Sequence, residues 1–172
     1  MGVTIEEKSL VALQCLSRLR SINGRSSLCT SFFRWNEYLI LSYPMKPRHF
    51  LTLLDLSSNE LNHLMERAVL MKANLHSRSS ISLMAGMTMA MLFEKTSTRT
   101  RVSFEVAATQ LGGHALFLAP GDTQLSRGES LSDTARIISS MADLIVMRTS
   151  THERVMAIAA NSRVPVINAM SN

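Results

Sequence analysis

The sequence is poor in the residue sets that build metal centres, disulfide frameworks and membrane spans. Its 172 residues include 2 cysteines, Cys15 and Cys29, and neither stands with a second cysteine or with histidines at a zinc-binding spacing. Two unpaired thiols fit a reducing compartment. The 5 histidines (His49, His63, His76, His114, His152) are scattered and form no ligand-spaced pair, so no metal ion is expected. The longest apolar stretches, such as Met84 to Phe93 with Gly86 and Thr88 inside it, fall well short of the roughly 20 residues of a membrane span. A soluble protein is therefore expected. No block of like charge accompanies the formal net charge of +5, so nucleic-acid binding would rest on the high pI alone and is not expected. There is no internal repeat or low-complexity tract, and a hydrophobic fraction of 46% suits a globular domain with a sizeable core.

Against this background one segment carries a dense polar chemistry. Phe93-Glu94-Lys95-Thr96-Ser97-Thr98-Arg99-Thr100-Arg101 ends an apolar run and opens a helical pattern. A helix that starts there presents unpaired N–H groups and a positive dipole end, and the hydroxyls and guanidiniums beside it add directed donors for phosphate-type oxygens. Taken alone, the same five residues from Ser97 also fit a solvated helix start in which Ser97 or Thr98 caps and the arginines face water. The flanks favour the cradle. Thr88 to Phe93 is a short apolar run of strand length, and Val102, Ala107, Ala108 and Leu111 fit one face of a helix that stops at Gly112-Gly113.

From Met45 onward the elements alternate. Ser57 and Glu60 form a capping box for a helix whose apolar face is Leu61, Leu64, Met65, Ala68, Val69 and Leu75. After the Ser97 helix come a strand at His114 to Leu118 and a turn or loop at Pro120-Gly121-Asp122. A helix opened by Ser130 and Asp133 follows, bearing Leu131, Thr134, Ala135, Ile138 and Met141. The strand Leu144 to Met147 ends at Arg148; a helix from about Glu153 to Asn161 and a strand Val164 to Ile167 close the series. This order predicts an α/β domain, an open and mostly parallel sheet with helices on both faces in a three-layer αβα arrangement. Right-handed crossovers then bring the Ser97 loop, the loop carrying Gln124 and the end of the Arg148 strand to one edge of the sheet. Residues 1–44, where Arg18, Arg20, Arg25 and Arg34 sit among Ser and Leu, are expected to be an N-terminal extension, either mis-started or a targeting arm. Glu6, Glu7 and Glu37 count against a transit peptide.

Several of these segments, taken together and in order, resemble the ornithine carbamoyltransferase family. They are Phe93-Glu94-Lys95 running into Ser97 to Arg101, Gly112-Gly113-His114, Gln124 to Ser130 (reading Gln-Leu-Ser-Arg-Gly-Glu-Ser), Asp133-Thr134-Ala135-Arg136 and Met141-Ala142-Asp143. The resemblance covers about residues 46 to 172. The aspartate branch shares the Ser-Thr-Arg-Thr-Arg core, but Glu94-Lys95 and the Gln124 loop favour the ornithine branch over it; enzymes acting on putrescine or acylated ornithines are an open alternative.

What the resemblance implies is carbamoyl transfer from carbamoyl phosphate to the side-chain amine of ornithine. Ser97, Thr98, Arg99 and Thr100 would hold the phosphate, Thr100 would also lie near the carbonyl oxygen, and Arg148 would bridge phosphate and carbonyl. Gln124 would be a further carbamoyl phosphate contact near a neighbouring subunit. Arg148 and Thr100 are thus the implied catalytic residues; no cofactor is implied, and the assembly would be a homotrimer or a multiple of trimers in the cytoplasm, or in the mitochondrial matrix if residues 1–44 are a transit segment. The family's His-Pro-x-Gln segment and its ornithine-binding domain would be expected beyond Asn172. Residues 45–172 are therefore expected to be the carbamoyl phosphate half, truncated before the ornithine half and inactive alone. The competing expectation is a non-catalytic anion-binding or assembly module.

Overall fold

The computed structural model describes residues 46–76, 82–119, 121–124 and 128–171; residues 1–44, with the extension expected there, and Pro120 lie outside the described residues. After a 3-10 turn at Leu53–Asp55, the elements are α1 (Ser58–His76), β1 (Thr88–Phe93), α2 (Thr98–Gln110), β2 (His114–Leu118), α3 (Leu131–Met141), β3 (Leu144–Arg148), α4 (His152–Asn161) and β4 (Val166–Asn168). The four described strands are parallel and lie in the order β2-β1-β3-β4.

Strand alternation builds two cores. On one face Met89, Met91 and Phe93 of β1 pack with Leu144 and Val146 of β3 under Phe104, Ala107, Ala108 and Leu111 of α2, with Met71 of α1 joining. On the other face Leu92, Ile145, Met147 and Val166 meet Ala135 of α3 and Val155, Ile158 and Ala159 of α4. Both faces of β1 and β3 are covered, which is why they read as continuous apolar runs, whereas β2 at the sheet edge leaves Leu116 46% exposed. The three-layer α/β arrangement matches the sequence expectation.

Capping chemistry sets the element ends. Ser57 Oγ accepts from the Glu60 N–H at 3.3 Å while the Ser57 N–H donates to Glu60 Oε2 at 2.9 Å, a reciprocal capping box. Hydrogen bonds from Arg48 and Ser57 hold the Glu60 carboxyl down to about 2. At the far end of α2, Gly113 N–H reaches the Ala108 carbonyl at 2.9 Å and Gly112 N–H the Thr109 carbonyl at 3.0 Å, a Schellman closure. Gly112 has φ 78°, and a Cβ on Gly113 would stand 2.8 Å from Met84 Cβ, so a side chain is disfavoured at both positions.

Three assignments of helix faces are corrected. Val102, Val69 and Met141 were expected inward and are 51%, 61% and 72% exposed. In α2 the buried set is Thr100, Ser103, Phe104, Ala107 and Ala108, followed by Leu111, an unbroken helical stripe that leaves Val102 on the far side. In α1 the stripe runs through Leu64, Ala68 and Met71, which turns Val69 outward; the Leu75 side chain lies outside the described set. The last strand begins at Val166 rather than Val164, because Pro165 has no N–H for the ladder and contributes only its carbonyl, to Ile145 N–H at 3.0 Å.

Beyond β4 the chain near Phe50 extends the pairing, with Phe50 N–H on the Val166 carbonyl at 2.8 Å and His49 Nδ1 accepting from Val166 N–H at 3.1 Å. Burial lowers the His49 pKa, opposed in part by the Asp55 charge. The folded chain therefore binds fewer protons at His49 than the unfolded chain, and stability is lost as pH falls below the unfolded value of 6.5. The melting temperature is expected to drop on acidification through that window, and His49→Gln to flatten the drop; an equal drop in the variant would contradict the assignment. Ser57→Ala is expected to lower the unfolding free energy by about 1 kcal/mol in urea titrations through loss of the cap.

Candidate anion-binding site

The sheet order makes β1 the point where the chain reverses direction. The crossover from β1 through α2 runs to β2 on one side; the next, through α3, passes back over β1 to β3 on the other. The loops leaving β1 and β3 therefore diverge, opening a crevice at the carboxyl ends of two adjacent strands. Phe93 and Arg148 are register partners there, and the Glu94 N–H donates to the Arg148 carbonyl at 2.8 Å.

Ser97 is the N-cap of α2, with extended backbone at φ −160° and ψ 92°, and its side chain makes no capping hydrogen bond among the described residues. The first-turn N–H groups, which have no acceptor within a helix, thus stand at the crevice edge without a cap from the Ser97 hydroxyl. Thr98 and Arg99 are exposed, Ser97 is partly buried and Thr100 is buried. Arg148 reaches this helix start from β3. Its Nη1 donates to the Ala169 carbonyl at 2.8 Å and lies 3.5 Å from Thr100 Oγ1, the outer limit of a hydrogen bond. Its Nε is buried without a protein acceptor among the described residues. A buried guanidinium N–H left without a partner is costly, and a bound oxyanion beside Thr100 would satisfy it.

The turn that supplies the Ala169 carbonyl is itself constrained. Met170 has φ 66°, a left-handed backbone that costs a residue with a Cβ, and the turn is pinned by Ser171 N–H on Asn168 Oδ1 at 2.8 Å and Thr149 N–H on Ser171 Oγ at 2.9 Å.

Thr100 and Arg148 are in contact, and Ser97, Thr98 and Arg99 share the helix start with Thr100. Gln124 lies exposed on the separate connection after β2, whose ends are drawn together where Glu129 N–H meets the Gln124 carbonyl at 3.1 Å; residues 125–127 between them lie outside the described residues. Arg101, the second arginine of the motif, turns away from this constellation. Its Nε donates to Glu105 Oε1 at 2.9 Å, and its guanidinium carbon stacks 3.7 Å from the centroid of the Phe117 ring.

Sequence reading missed a second cluster. Glu94 accepts Arg154 Nε at 3.0 Å, a terminal nitrogen of the same guanidinium, and the Thr149 hydroxyl. Burial pushes the Glu94 carboxyl up, but the hydrogen bonds from Arg154 and Thr149 and the Arg154 charge outweigh it and hold the pKa below the usual carboxylate value. The hydrogen bond to Glu94 and the Glu94 charge raise the Arg154 pKa against the effect of burial. The sequence signal was only an acidic residue after a strand and a basic one early in a helix 60 positions later. Among the described residues no group of three or more potential ligands could hold a metal ion, and no helix is long and apolar enough to cross a membrane.

Comparison with known proteins agrees with this fold. Residues 48–172 match the family model described as aspartate/ornithine carbamoyltransferase, carbamoyl-P binding domain. The chain is 55% identical over 128 residues to the ornithine carbamoyltransferase of Hydrogenovibrio crunogenus, covering 74% of this chain and 42% of that protein. Among solved structures, ornithine carbamoyltransferase from Pyrococcus furiosus is similar at a TM-score of 0.70 and 45% identity, over 73% of this chain and 40% of that one. The catalytic subunit of M. jannaschii aspartate transcarbamoylase is similar at 0.67 and 33% identity, over 73% and 41%. The chain thus spans about two-fifths of the length of the curated relatives it matches.

The geometry separates the two motif arginines. Arg101→Ala is expected to reduce stability by about 1 kcal/mol, through loss of the Phe117 stack and the Glu105 pair, while inorganic phosphate affinity stays within about twofold of the parent. A loss of affinity as large as that of Arg99→Ala would contradict the separation.

Proposed function

Because the chain belongs to the aspartate/ornithine carbamoyltransferase family, we propose that it supplies the carbamoyl phosphate half of an ornithine carbamoyltransferase. The single observation that carries the reading is Arg148, whose Nη1 lies 3.5 Å from Thr100 Oγ1 in the first turn of α2 while its buried Nε has no partner among the described residues. In this reading the α2 start, with Ser97, Thr98, Arg99 and Thr100, holds the phosphate, and Gln124 contacts carbamoyl phosphate from the loop after β2. Arg148 spans phosphate and carbonyl, with Thr100 beside the carbonyl oxygen.

The chemistry suits such a site. The neutral amine of ornithine attacks the carbonyl carbon, charge grows on the carbonyl oxygen, the bond from carbon to the phosphate oxygen breaks, and phosphate leaves with that electron pair while the amine loses a proton. Fixed donors aimed at the growing charge lower this barrier with no cofactor. Residues 45–172 form the carbamoyl phosphate domain, and the length that the curated relatives have in addition is proposed to hold the amine acceptor. Ornithine is favoured over aspartate by the names of the curated relatives and by Glu94-Lys95 and the Gln124 loop. A homotrimer or multiple of trimers in the cytoplasm belongs to the same proposal.

A charge-assisted hydrogen bond contributes about 1.5 to 3 kcal/mol, so Arg99→Ala is expected to weaken carbamoyl phosphate binding by about one to two decades or more in calorimetric titration. Unchanged affinity would overturn the phosphate assignment. Formation of citrulline by the 172-residue chain alone would overturn the assignment of the amine acceptor to a separate portion.

A further inference from the structure

Glu94 is an awkward residue to find beside an anion site. It follows β1 directly, its N–H is bonded to the Arg148 carbonyl at 2.8 Å, and its carboxylate accepts the hydroxyl of Thr149, the residue next to Arg148. An unneutralised carboxylate there would oppose the charge of Arg148 and repel phosphate. Arg154 meets it with two donors, Nε at 3.0 Å on Oε2 and a terminal nitrogen on Oε1. Arg154 lies in the first turn of α4, which begins at His152. A cation in that turn works against the helix dipole, so its location is not explained by the stability of α4.

We propose that Arg154 is an electrostatic positioning residue: by neutralising Glu94 and drawing its carboxylate to the α4 side, it keeps negative charge off the anion site formed by Arg148 and the start of α2. This rests on the reading of that crevice as a phosphate site. The depressed Glu94 pKa agrees with it, since the carboxylate stays ionised at neutral pH and needs a permanent counter-charge.

The test is calorimetric titration of the full chain with inorganic phosphate at low ionic strength, with thermal melts confirming that each variant is folded. Arg154→Met is expected to bind about fivefold more weakly, and the deficit to shrink as salt is added. Arg154→Lys, which keeps the charge, and the double variant Arg154→Met with Glu94→Gln, which removes the charge that needed compensating, are expected within about twofold of the parent. Glu94→Gln alone is expected to bind at least as tightly as the parent. If Arg154→Met melts below the titration temperature, Arg154→Gln takes its place. Unchanged affinity in the Arg154 variant would overturn the proposal, and so would a Glu94→Gln loss as large as that of Arg154→Met with no recovery in the double variant, which marks a mechanical tie. Absence of phosphate binding by the parent chain would instead overturn the anion site itself, and the inference with it.

Discussion

Everything at the candidate site depends on two neighbouring parallel strands whose crossovers depart in opposite directions. β1 and β3 are hydrogen-bonded along their length, so their ends cannot separate, yet the chain leaves β1 toward β2 and leaves β3 toward β4. The diverging loops must leave a gap above the paired strand ends, and the α2 start and Arg148 line it. The strands are held in place by burial on both faces. Met89, Met91, Leu92, Ile145 and Met147 are all at 1% exposure or less. At about 1.5 to 3 kcal/mol for each fully buried side chain, this core has the means to fix backbone that carries unsatisfied donors at its rim.

Charge is arranged around that gap with a clear division of labour. Of the two arginines in the motif, Arg99 extends to solvent beside the helix start, while Arg101 is tied back to Glu105 and the Phe117 ring. Arg148 places one nitrogen on the Ala169 carbonyl, and its Nε has no partner among the described residues. The left-handed Met170 follows the residue that supplies that carbonyl, so the backbone strain sits where it holds the site arginine. Glu94 and Arg154 pair with each other nearby, which in the proposed reading leaves the balance at the crevice in favour of an anion.

The alternation of elements was legible in the sequence because both faces of the central strands β1 and β3 are covered, which turns each of them into a short apolar run. The Ser57 and Ser130 caps were readable for the same local reason: an oxygen-bearing side chain three residues ahead of a carboxylate satisfies the first helical N–H groups. What was not legible depends on tertiary placement. Val102 and Val69 are as apolar as their buried neighbours, and only the angle at which each helix meets the sheet decides which residue faces in. Pro165 shifted the start of β4 by a mechanism visible in the sequence, the missing N–H. At the site, the hydroxyls and arginines announced an oxyanion cradle, but nothing local distinguished Arg99 from Arg101, and Glu94 and Arg154 are brought together only by the fold.

The most direct test of the central claim is the NMR resonance of the Arg148 Nε–H as carbamoyl phosphate is titrated into the chain. The account predicts a saturable shift for that N–H, matching the calorimetric affinity, while the Arg101 Nε–H, already bonded to Glu105, stays in place. An Arg148 signal that does not move while the ligand binds would place the anion elsewhere and contradict the account.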